Sequence, residues 1–436
     1  MKTFNKTLIA VSVALASTQT LAAGFQLNSQ SATGIGRAFS GDAVIADNAS
    51  VLSRNPAAMA LFDEKALSFG VTYADISVTV KDVEKAGTPI SFGSEHDAAD
   101  SKVIPNFYYI QPLNDQWAFG LAAFSNFGTG TDTTALANNA VTIPGMGTVP
   151  APVDLLGNTE VVTMDFNASL SYRFNDHFSV GAGLDLIYGQ GKLSREGNLP
   201  LGPGGAMVNA NLVDVDADGF AIGGIIGAVY EFNKDNRIGA SYRLSPDFKA
   251  TGDINTLNTQ LGKVVSFDEI NIPLPDIFQV AGFHQLTEKF AIHYTAQLST
   301  WGDFDQITVT DGTVGGTPAI SSAPLKQYVW DDSWLFSVGG TYTINDKWTA
   351  RAGYMHDQGV VNDISSISIP DSNRNWFTAG LSYNLSTHST VDMGLAFVRG
   401  EDTEVHENSS IPNMGEIIAH TRSDAVYYSV QYSYQF

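Results

Sequence analysis

The feature that most constrains this chain is a regular alternation of apolar or aromatic residues with polar ones, seen most clearly at its C-terminus. From residue 426 to 436 the odd positions include serine and glutamine. The even positions are Val426, Tyr428, Val430, Tyr432, Tyr434 and Phe436. Because successive side chains of a β-strand point to opposite faces, this segment is predicted to be a strand with one apolar face.

Similar stretches, bounded by turn residues, recur along the chain and predict fourteen strands. They lie at 66–80, 103–113, 116–127, 160–174, 178–194, 217–232, 237–250, 276–286, 289–310, 327–344, 347–360, 374–385, 390–402 and 424–436. Six connections are short turns, at 114–115, 175–177, 233–236, 287–288, 345–346 and 386–389. The connections between them are long loops, for instance 81–102, 128–159 and 251–275. Short turns at one end and long loops at the other predict a 14-stranded antiparallel outer-membrane β-barrel, residues 66–436, with both ends in the periplasm.

Composition agrees with a barrel in lipid. Only 16% of residues are charged, 44% are hydrophobic and the mean hydropathy is −0.02, without the apolar runs of about 20 residues that helical membrane spans need. Aromatic residues lie beside the short turns, where an interfacial girdle is expected, namely Trp117, Phe174, Phe178, Phe232, Phe290 and Trp348. A soluble all-β protein is the alternative, because scattered aromatic residues occur in any sheet.

Several classes of function find no support in the sequence. With 23 basic and 45 acidic side chains the formal charge is −22, which argues against a nucleic-acid partner. The chain has no cysteine, and its eight histidines are scattered, so neither a disulfide scaffold nor a metal site is predicted. Residues 214–219 resemble the start of a calcium loop, but Ile225 stands where the bidentate glutamate is required. No cofactor and no enzymatic activity are predicted.

The N-terminus has the form of a secretory signal. Lys2 and Lys6 precede a nine-residue apolar run at 8–16, and small residues follow at Ala22 and Ala23. The run is too short to span a bilayer. We therefore expect residues 1–22 to be a signal peptide, removed on export across the inner membrane.

Residues 23–65, before the first strand, lack sustained alternation and carry an ordered set of motifs. They read Ala23-Gly-Phe-Gln-Leu27, then 31–41 with Gly34, Gly36 and Arg37, then Ala46-Asp47, and finally Asn55-Pro56-Ala57. A barrel of fourteen strands leaves a lumen that needs a plug. In this order, after a signal peptide, the motifs resemble the hatch of the FadL-type outer-membrane long-chain fatty acid and hydrophobic compound transporters. The resemblance extends over the whole mature chain.

The resemblance implies a monomeric barrel, plugged by residues 23–65, that takes up hydrophobic substrates without an energy source. It implies that movement near Phe25 releases the substrate from an internal pocket, and that release is lateral, through an inward kink of the third strand. The matching residues are Asn126, Phe127 and Gly128, and glycine is the residue type expected at a bend. An ordinary strand end is the alternative reading of these three residues.

The resemblance also implies a head-group arginine, which aligns with Arg195 at the outer end of the fifth strand. By itself, an arginine there would be a solvated rim charge. Lys326 is the nearest candidate for the second cation of the family, although the equivalent position falls within residues 329–332. If Asp331 faces the pocket, a neutral aromatic or alkane ligand is favoured, and some members of the family carry monoaromatic hydrocarbons.

Two long loops are unusually apolar for loops that face water. Loop 128–159 has only two charged residues, Asp132 and Asp154, and loop 195–216 is similar. We expect four of their leucines to contact substrate, namely Leu155, Leu156, Leu199 and Leu201, because exposed apolar surface often marks a binding site. The alternative is that the two loops pack on each other.

The sequence therefore predicts a passive transporter in the outer membrane of a Gram-negative cell, surrounded by outer-membrane lipid and lipopolysaccharide. Long-chain fatty acids are the first choice of substrate, and monoaromatic hydrocarbons are the second. A general diffusion porin and a purely structural or adhesive barrel are alternatives of different classes.

Overall fold

The protein is a closed antiparallel β-barrel. The computed structural model describes residues 24–144, 147–202, 206–259, 262–361 and 365–436, and the predicted signal peptide, residues 1–22, lies outside the described residues. Within these ranges fourteen strands form the wall. Their bounds are β1 Ala66–Lys85, β2 Lys102–Pro112, β3 Trp117–Phe124 and Gly128–Asp132, β4 Asn158–Asn175, β5 Phe178–Leu199, β6 Val208–Asn233, β7 Asn236–Leu244 and Asp247–Asn258, β8 Glu269–Pro273 and Ile277–Gln285, β9 Phe290–Ser299, β10 Ser333–Thr343, β11 Trp348–Asp357, β12 Arg374–Asn384, β13 Ser389–Gly400 and β14 Gly415–Gln435.

Each wall strand pairs with its neighbours in the sequence, and the last strand pairs with the first. Ala66 of β1 lies opposite Gln435 of β14, and this register continues to Lys81 opposite His420. This closure leaves β1 and β14 without free sheet edges, so their backbone polar groups are paired within the wall, as a hydrocarbon environment requires. The predicted fold class and strand number are confirmed.

The connections differ at the two ends of the barrel, as predicted. Tight turns join β2 to β3, β4 to β5, β6 to β7, β8 to β9, β10 to β11 and β12 to β13. The opposite, external end carries additional strands at Ser91–Glu95, Val141–Ile143, Gly147–Val149, Lys263–Phe267, Gln306–Val314, Thr317–Gln327 and Thr403–Ser409. The predicted strands 289–310 and 327–344 were therefore too long, because residues 306–314 and 317–327 form an external hairpin instead of wall. The calcium-like residues 214–219 lie within the extended strand β6 and do not form a loop.

In the first part of β1, up to residue 73, polar residues point inward and apolar residues point outward, whereas Ile76, Val78 and Val80 further along the strand are buried inside. In β1, Ser68 and Thr72 are fully buried, whereas Phe69, Val71 and Tyr73 are exposed. This is the reverse of a water-soluble fold and is what a lipid-facing surface requires. Five of the six predicted girdle aromatics are exposed beside the tight turns, and Trp348 is partly buried.

Residues 24–62, called the N-terminal segment below, lie inside the barrel and are almost entirely buried. They contain the helix α1 Ala32–Gly36 and two 3-10 helices, Ala49–Ser53 and Pro56–Leu61. The remaining helices of the described residues are α2 Thr134–Ala137 and a 3-10 turn at Trp301–Asp303. None of these helices has the length and apolar character that a membrane crossing needs.

Candidate functional site

A largely apolar cavity lies inside the external half of the barrel. About 860 Å³ of space not filled by protein atoms lies in and at the mouth of this cavity, a volume that includes space open to solvent. Its wall comes from β4 to β8 and from the external hairpin. The apolar lining residues are Val161, Leu193, Val213, Val215, Ala217, Phe248, Ala250, Ile270, Ile272, Leu274, Ile307 and Leu325. A cavity with such a wall suits a ligand with a substantial apolar portion.

Arg195 lines this cavity and is only 3% exposed. Its guanidinium donates to the backbone carbonyls of Asn158 at 2.7 Å and Ser194 at 2.8 Å, and to Oγ1 of Thr159 at 2.8 Å. All three acceptors are neutral, and the carboxylates of Glu407 and Asp154 act on the guanidinium only as more distant charges. A buried cation that makes no direct ion pair is only partly compensated, so this group favours a ligand that brings a negative charge.

Lys326 also lines the cavity, but its charge is already paired. Its ammonium nitrogen lies 2.6 Å from the Glu407 carboxylate and donates to the hydroxyls of Ser366 and Ser368. Burial lowers the pKa of Lys326 below its ordinary value, and Glu407 offsets part of that effect. Burial also raises the pKa of the neighbouring Tyr328, which keeps its phenol neutral. Lys326 therefore offers a carboxylate less attraction than Arg195 does.

The other residues that the sequence suggested for substrate contact lie elsewhere. Leu155, Leu156 and Leu199 are buried in an apolar core formed by the external loops, and Leu201 is 45% exposed. None of these four is among the residues lining the cavity, and the cluster that contains Leu155, Leu156 and Leu199 also includes Phe39 of the N-terminal segment. Asp331 is exposed and does not line the cavity either.

The barrel wall is interrupted between β2 and β3. Their pairing ends at Phe107 opposite Ala123, and β3 is broken at residues 125–127. Pro105 has no N–H to donate across this interface. Where β3 pairs with β4, residues 125–127 oppose only 163–164, which makes a β-bulge. We call the stretch where β2 and β3 are not hydrogen-bonded the wall gap.

The N-terminal segment lies against the wall gap through main-chain hydrogen bonds. The N–H of Leu27 donates to the carbonyl of Asn126 at 2.7 Å, and the N–H of Gly128 donates to the carbonyl of Phe25 at 2.8 Å. Gln26 and Phe127 are the bridge partners between these two bonds. Phe25 and residues 126–128 were identified separately from the sequence, and the fold brings them into direct contact.

A cluster of aromatic side chains surrounds Phe25. Its ring centroid lies 4.6 Å from that of Trp301 and 6.1 Å from that of Phe127. The complete cluster, in which every side chain is at most 2% exposed, is Phe25, Phe127, Trp301, Phe304, Tyr328 and Trp330. Tyr328 belongs both to this cluster and to the cavity lining, so the cavity and the N-terminal segment share a wall. No sequence pattern pointed to Trp301, Phe304 and Trp330.

The predicted hatch motifs have defined structural roles. The Asn55 side chain accepts from the N–H of Ala57 at 3.0 Å and donates to the carbonyl of Ala228 in β6, and Pro56 begins the 3-10 helix. Gly34 and Gly36 lie in α1. A Cβ at Gly36 would come within 2.8 Å of the Cα of Gly380, so the helix rests directly on the wall.

Arg37 is the centre of an ion-pair network that joins the N-terminal segment to the wall. It pairs with Asp42 at 2.6 Å and with Asp47 at 2.7 Å, and Asp47 also pairs with Arg351 of β11 at 3.1 Å. Burial alone would raise the pKa of Asp47, but the Arg37 and Arg351 guanidiniums outweigh it and hold that pKa well below its usual range.

Comparison with known proteins agrees with this architecture. Residues 13–436 match the family described as outer membrane protein transport protein (OMPP1/FadL/TodX). The chain is 30% identical over 440 residues to the long-chain fatty acid transport protein of Escherichia coli K12, covering 93% of this chain and 94% of that protein. Its fold is similar to the crystal structure of a Pseudomonas aeruginosa FadL homologue, with a TM-score of 0.77, 22% identity and coverage of 95% and 100% of the two chains. It is also similar to the Pseudomonas putida toluene transporter TodX, with a TM-score of 0.65, 19% identity and coverage of 95% and 100%.

Proposed function

Because the chain belongs to the OMPP1/FadL/TodX family of outer membrane transport proteins, we propose that it takes up long-chain fatty acids by passive transport. The protein lies in the outer membrane of a Gram-negative cell as a β-barrel. The observation that carries the fatty acid proposal is the combination of an apolar cavity wall with Arg195, a buried cation whose hydrogen-bond partners are all neutral. An acyl chain fits the wall, and a carboxylate supplies the direct ion pair that Arg195 does not have within the protein.

Transport along this route is downhill. The lipopolysaccharide leaflet is a polar barrier that slows apolar molecules, and the cavity offers them an apolar environment on the way to the bilayer. Burial of each further methylene stabilises binding by about 0.8 kcal/mol, so affinity should rise about fourfold per methylene until the chain fills the cavity.

Release is lateral, through the wall gap between β2 and β3. Two observations support this route, namely the broken pairing at residues 125–127 and the hydrogen bonds that place Phe25 and Leu27 against it. The N-terminal segment then acts as the hatch. Movement of Phe25 out of its aromatic cluster would uncover the gap from the cavity side. Because the barrel is plugged from inside, a monomer is sufficient for this mechanism.

A neutral monoaromatic hydrocarbon is the second candidate substrate. Glu407 already neutralises Lys326, and two aromatic side chains, Phe248 and Tyr328, line the cavity. Both features favour an uncharged ring over an acyl carboxylate.

A binding titration of oleate and of toluene with purified protein tests the proposal. We expect oleate to bind and its affinity to exceed that of the methyl ester, because the ester lacks the charge that Arg195 requires. If the protein binds toluene but does not bind oleate, the second candidate is supported. Steady ion conductance in planar bilayers, without binding of either ligand, would instead indicate a general diffusion porin.

A further inference from the structure

One side chain, Gln30, connects the N-terminal segment to the break in β3. It is 3% exposed, and its amide nitrogen donates to the carbonyls of Leu27 at 2.9 Å and Ser125 at 3.0 Å and to Oδ1 of Asn126 at 3.3 Å. Two of these three acceptors belong to the broken stretch of β3. The two N–H groups of one amide are thus shared between the segment and the wall.

The opposite end of the same amide is held by the N-terminal segment alone. The oxygen of Gln30 accepts from Nη2 of Arg54 at 2.7 Å and from the N–H of Ser29 at 3.1 Å. The Arg54 guanidinium and the Ser29 N–H can only donate, so they must face the oxygen of Gln30. The carbonyls of Leu27 and Ser125 can only accept, so they must face its nitrogen, and the orientation of the amide is fixed by its surroundings.

On the far side of the broken stretch, Asp165 of β4 completes the connection. Its carboxylate accepts from the backbone N–H of Asn126 at 3.2 Å and from the Asn126 side-chain amide at 3.3 Å. Asp165 is fully buried. Asn126 is therefore held from both sides, by Gln30 on the segment and by Asp165 on the wall.

We infer that Gln30 and Asp165 are positioning residues that form a latch, which keeps the N-terminal segment on the wall gap until the segment moves. The inference rests on the proposed lateral release, and it specifies which contacts couple the segment to the gap. Neither residue lines the cavity. The latch therefore controls how fast a ligand crosses the gap and not how tightly the cavity holds it.

The substitution Gln30→Glu keeps the hydrogen bonds that the Gln30 amide accepts and removes those that it donates. A glutamate has the same size and keeps the bonds from Arg54 and Ser29, the former as an ion pair. It has no N–H to donate, so it loses all three bonds toward Leu27, Ser125 and Asn126. The matched control is Gln431→Glu, because Gln431 is also a buried glutamine that accepts from the N-terminal segment, at the N–H of Ala32, but it has no bond to residues 125–127.

The test measures exchange of a dansyl-labelled undecanoate with purified full-length protein in detergent micelles. For Gln30→Glu we expect the dissociation rate to rise at least about fivefold and the Kd to stay within about twofold, because a gate speeds entry and exit alike. Gln431→Glu should leave both quantities near those of the wild type. An unchanged dissociation rate in Gln30→Glu, or a Kd that rises in step with the rate, would overturn the inference.

Hydrogen–deuterium exchange of the same variants gives a readout that needs no ligand. The amides of residues 24–30 and 125–130 should exchange faster in Gln30→Glu than in the wild type, whereas those around Arg54, which would gain an ion pair with the new glutamate, should not. If the wild type fails to bind the probe, the fatty acid proposal fails. Hydrogen–deuterium exchange then decides by itself whether Gln30 holds the segment on the wall gap. Unchanged exchange at both segments would overturn the inference.

Discussion

The N–H of Gly128 donates to the carbonyl oxygen of Phe25 at 2.8 Å, which fixes the start of the N-terminal segment to the broken part of β3. The bond joins residues more than one hundred positions apart in the sequence. It makes the wall gap and the aromatic cluster parts of one structural unit. A ligand in the cavity can therefore affect the gap through Tyr328 and the aromatic cluster, and also through Thr163, which lines the cavity and forms hydrogen bonds with the backbone of Phe127.

A disulfide between positions 26 and 127 should lock this unit. Gln26 and Phe127 are antiparallel bridge partners flanked by the bonds of Leu27 and Gly128, so they form a non-hydrogen-bonded pair with close Cα atoms. The chain has no cysteine, so the double variant Gln26→Cys with Phe127→Cys has only one possible intramolecular pairing. Oxidised protein should lose oleate uptake in cells and regain it on reduction. Uptake that is equal in both redox states would show that the segment need not leave the gap.

Replacing Arg195 should separate charged from neutral ligands. Arg195→Met removes the buried cation, and hydrogen bonds to a charged group are worth about 1.5–3 kcal/mol, so oleate affinity should fall by about tenfold or more. Toluene affinity should change little. Lys192→Met is the control, because Lys192 also lines the cavity but is half exposed and lies 3.3 Å from Asp216. Calorimetric titrations of both ligands would contradict the proposed role if Arg195→Met weakened them equally.

Glu407 should act as an internal competitor for the second cation. In the wild type, the N–H of Ile367 donates to the Glu407 carboxylate at 2.9 Å. Glu407→Gln frees the Lys326 ammonium from its ion pair and keeps an oxygen that can accept this hydrogen bond. We expect oleate affinity to rise about three- to tenfold, and Lys326→Met in the same background should abolish the gain.

The pH dependence of that variant follows from the lysine. Only the protonated ammonium attracts a carboxylate, and burial sets the pKa of Lys326 below its ordinary value. The gain in affinity should therefore be present near neutral pH and be lost as pH rises. The loss should occur at a lower pH than it would if the gain came from an exposed lysine. A gain that persists up to pH 11 would exclude Lys326 as its source.

The ion pairs of Asp47 should keep the N-terminal segment closed against the wall. Asp47→Asn removes the charge that joins Arg37 to Arg351, so brief openings in planar-bilayer recordings should become more frequent. Because the folded-state pKa of Asp47 is depressed, its contribution is complete above its ordinary pKa of about 3.9 and is lost as pH falls below that value. Acidification should therefore increase openings in the wild type more than in Asp47→Asn. Asp100→Asn, at an exposed side chain, is the control.

The wall of the barrel was predictable because its information is local. A period of two assigns each side chain of a strand to lipid or lumen, and four of the six tight turns carry both Asn and Asp, so the strand number and the closed barrel could be predicted from the sequence. The external hairpin 306–327 was less predictable, since its strands lie outside the membrane and need no apolar face. Their residues were therefore assigned partly to β9 and β10.

The candidate site was predictable only in part. Arg195, Lys326, Phe25 and residues 126–128 were identified through a family resemblance, and their roles in binding and release stay predictions. Trp301, Phe304 and Trp330 give no local signal, because their function depends on meeting Phe25 from the opposite side of the barrel. The apolar loop residues were ambiguous, because a leucine that packs under a loop and one that contacts a ligand look the same in a sequence.

The close packing of Gly24 provides a direct test of how the aromatic cluster holds the segment. Gly24 has φ +62°, and a Cβ there would lie 2.8 Å from ring atoms of Trp301 and 2.9 Å from Trp330. Gly24→Ala therefore meets both backbone strain and a steric clash with buried rings, which should displace residues 24–27 from the gap. Tryptophan fluorescence should shift to the red, and ligand dissociation should accelerate by about fivefold or more.

Gly315→Ala is the matched control, because Gly315 has φ +57° with no atom within 4 Å, so it carries the strain without the clash. Mass spectrometry of the mature N-terminus is needed as well, since Gly24 lies beside the predicted cleavage site. If correctly processed Gly24→Ala behaves like Gly315→Ala in both measurements, the indoles of Trp301 and Trp330 do not hold the segment in place.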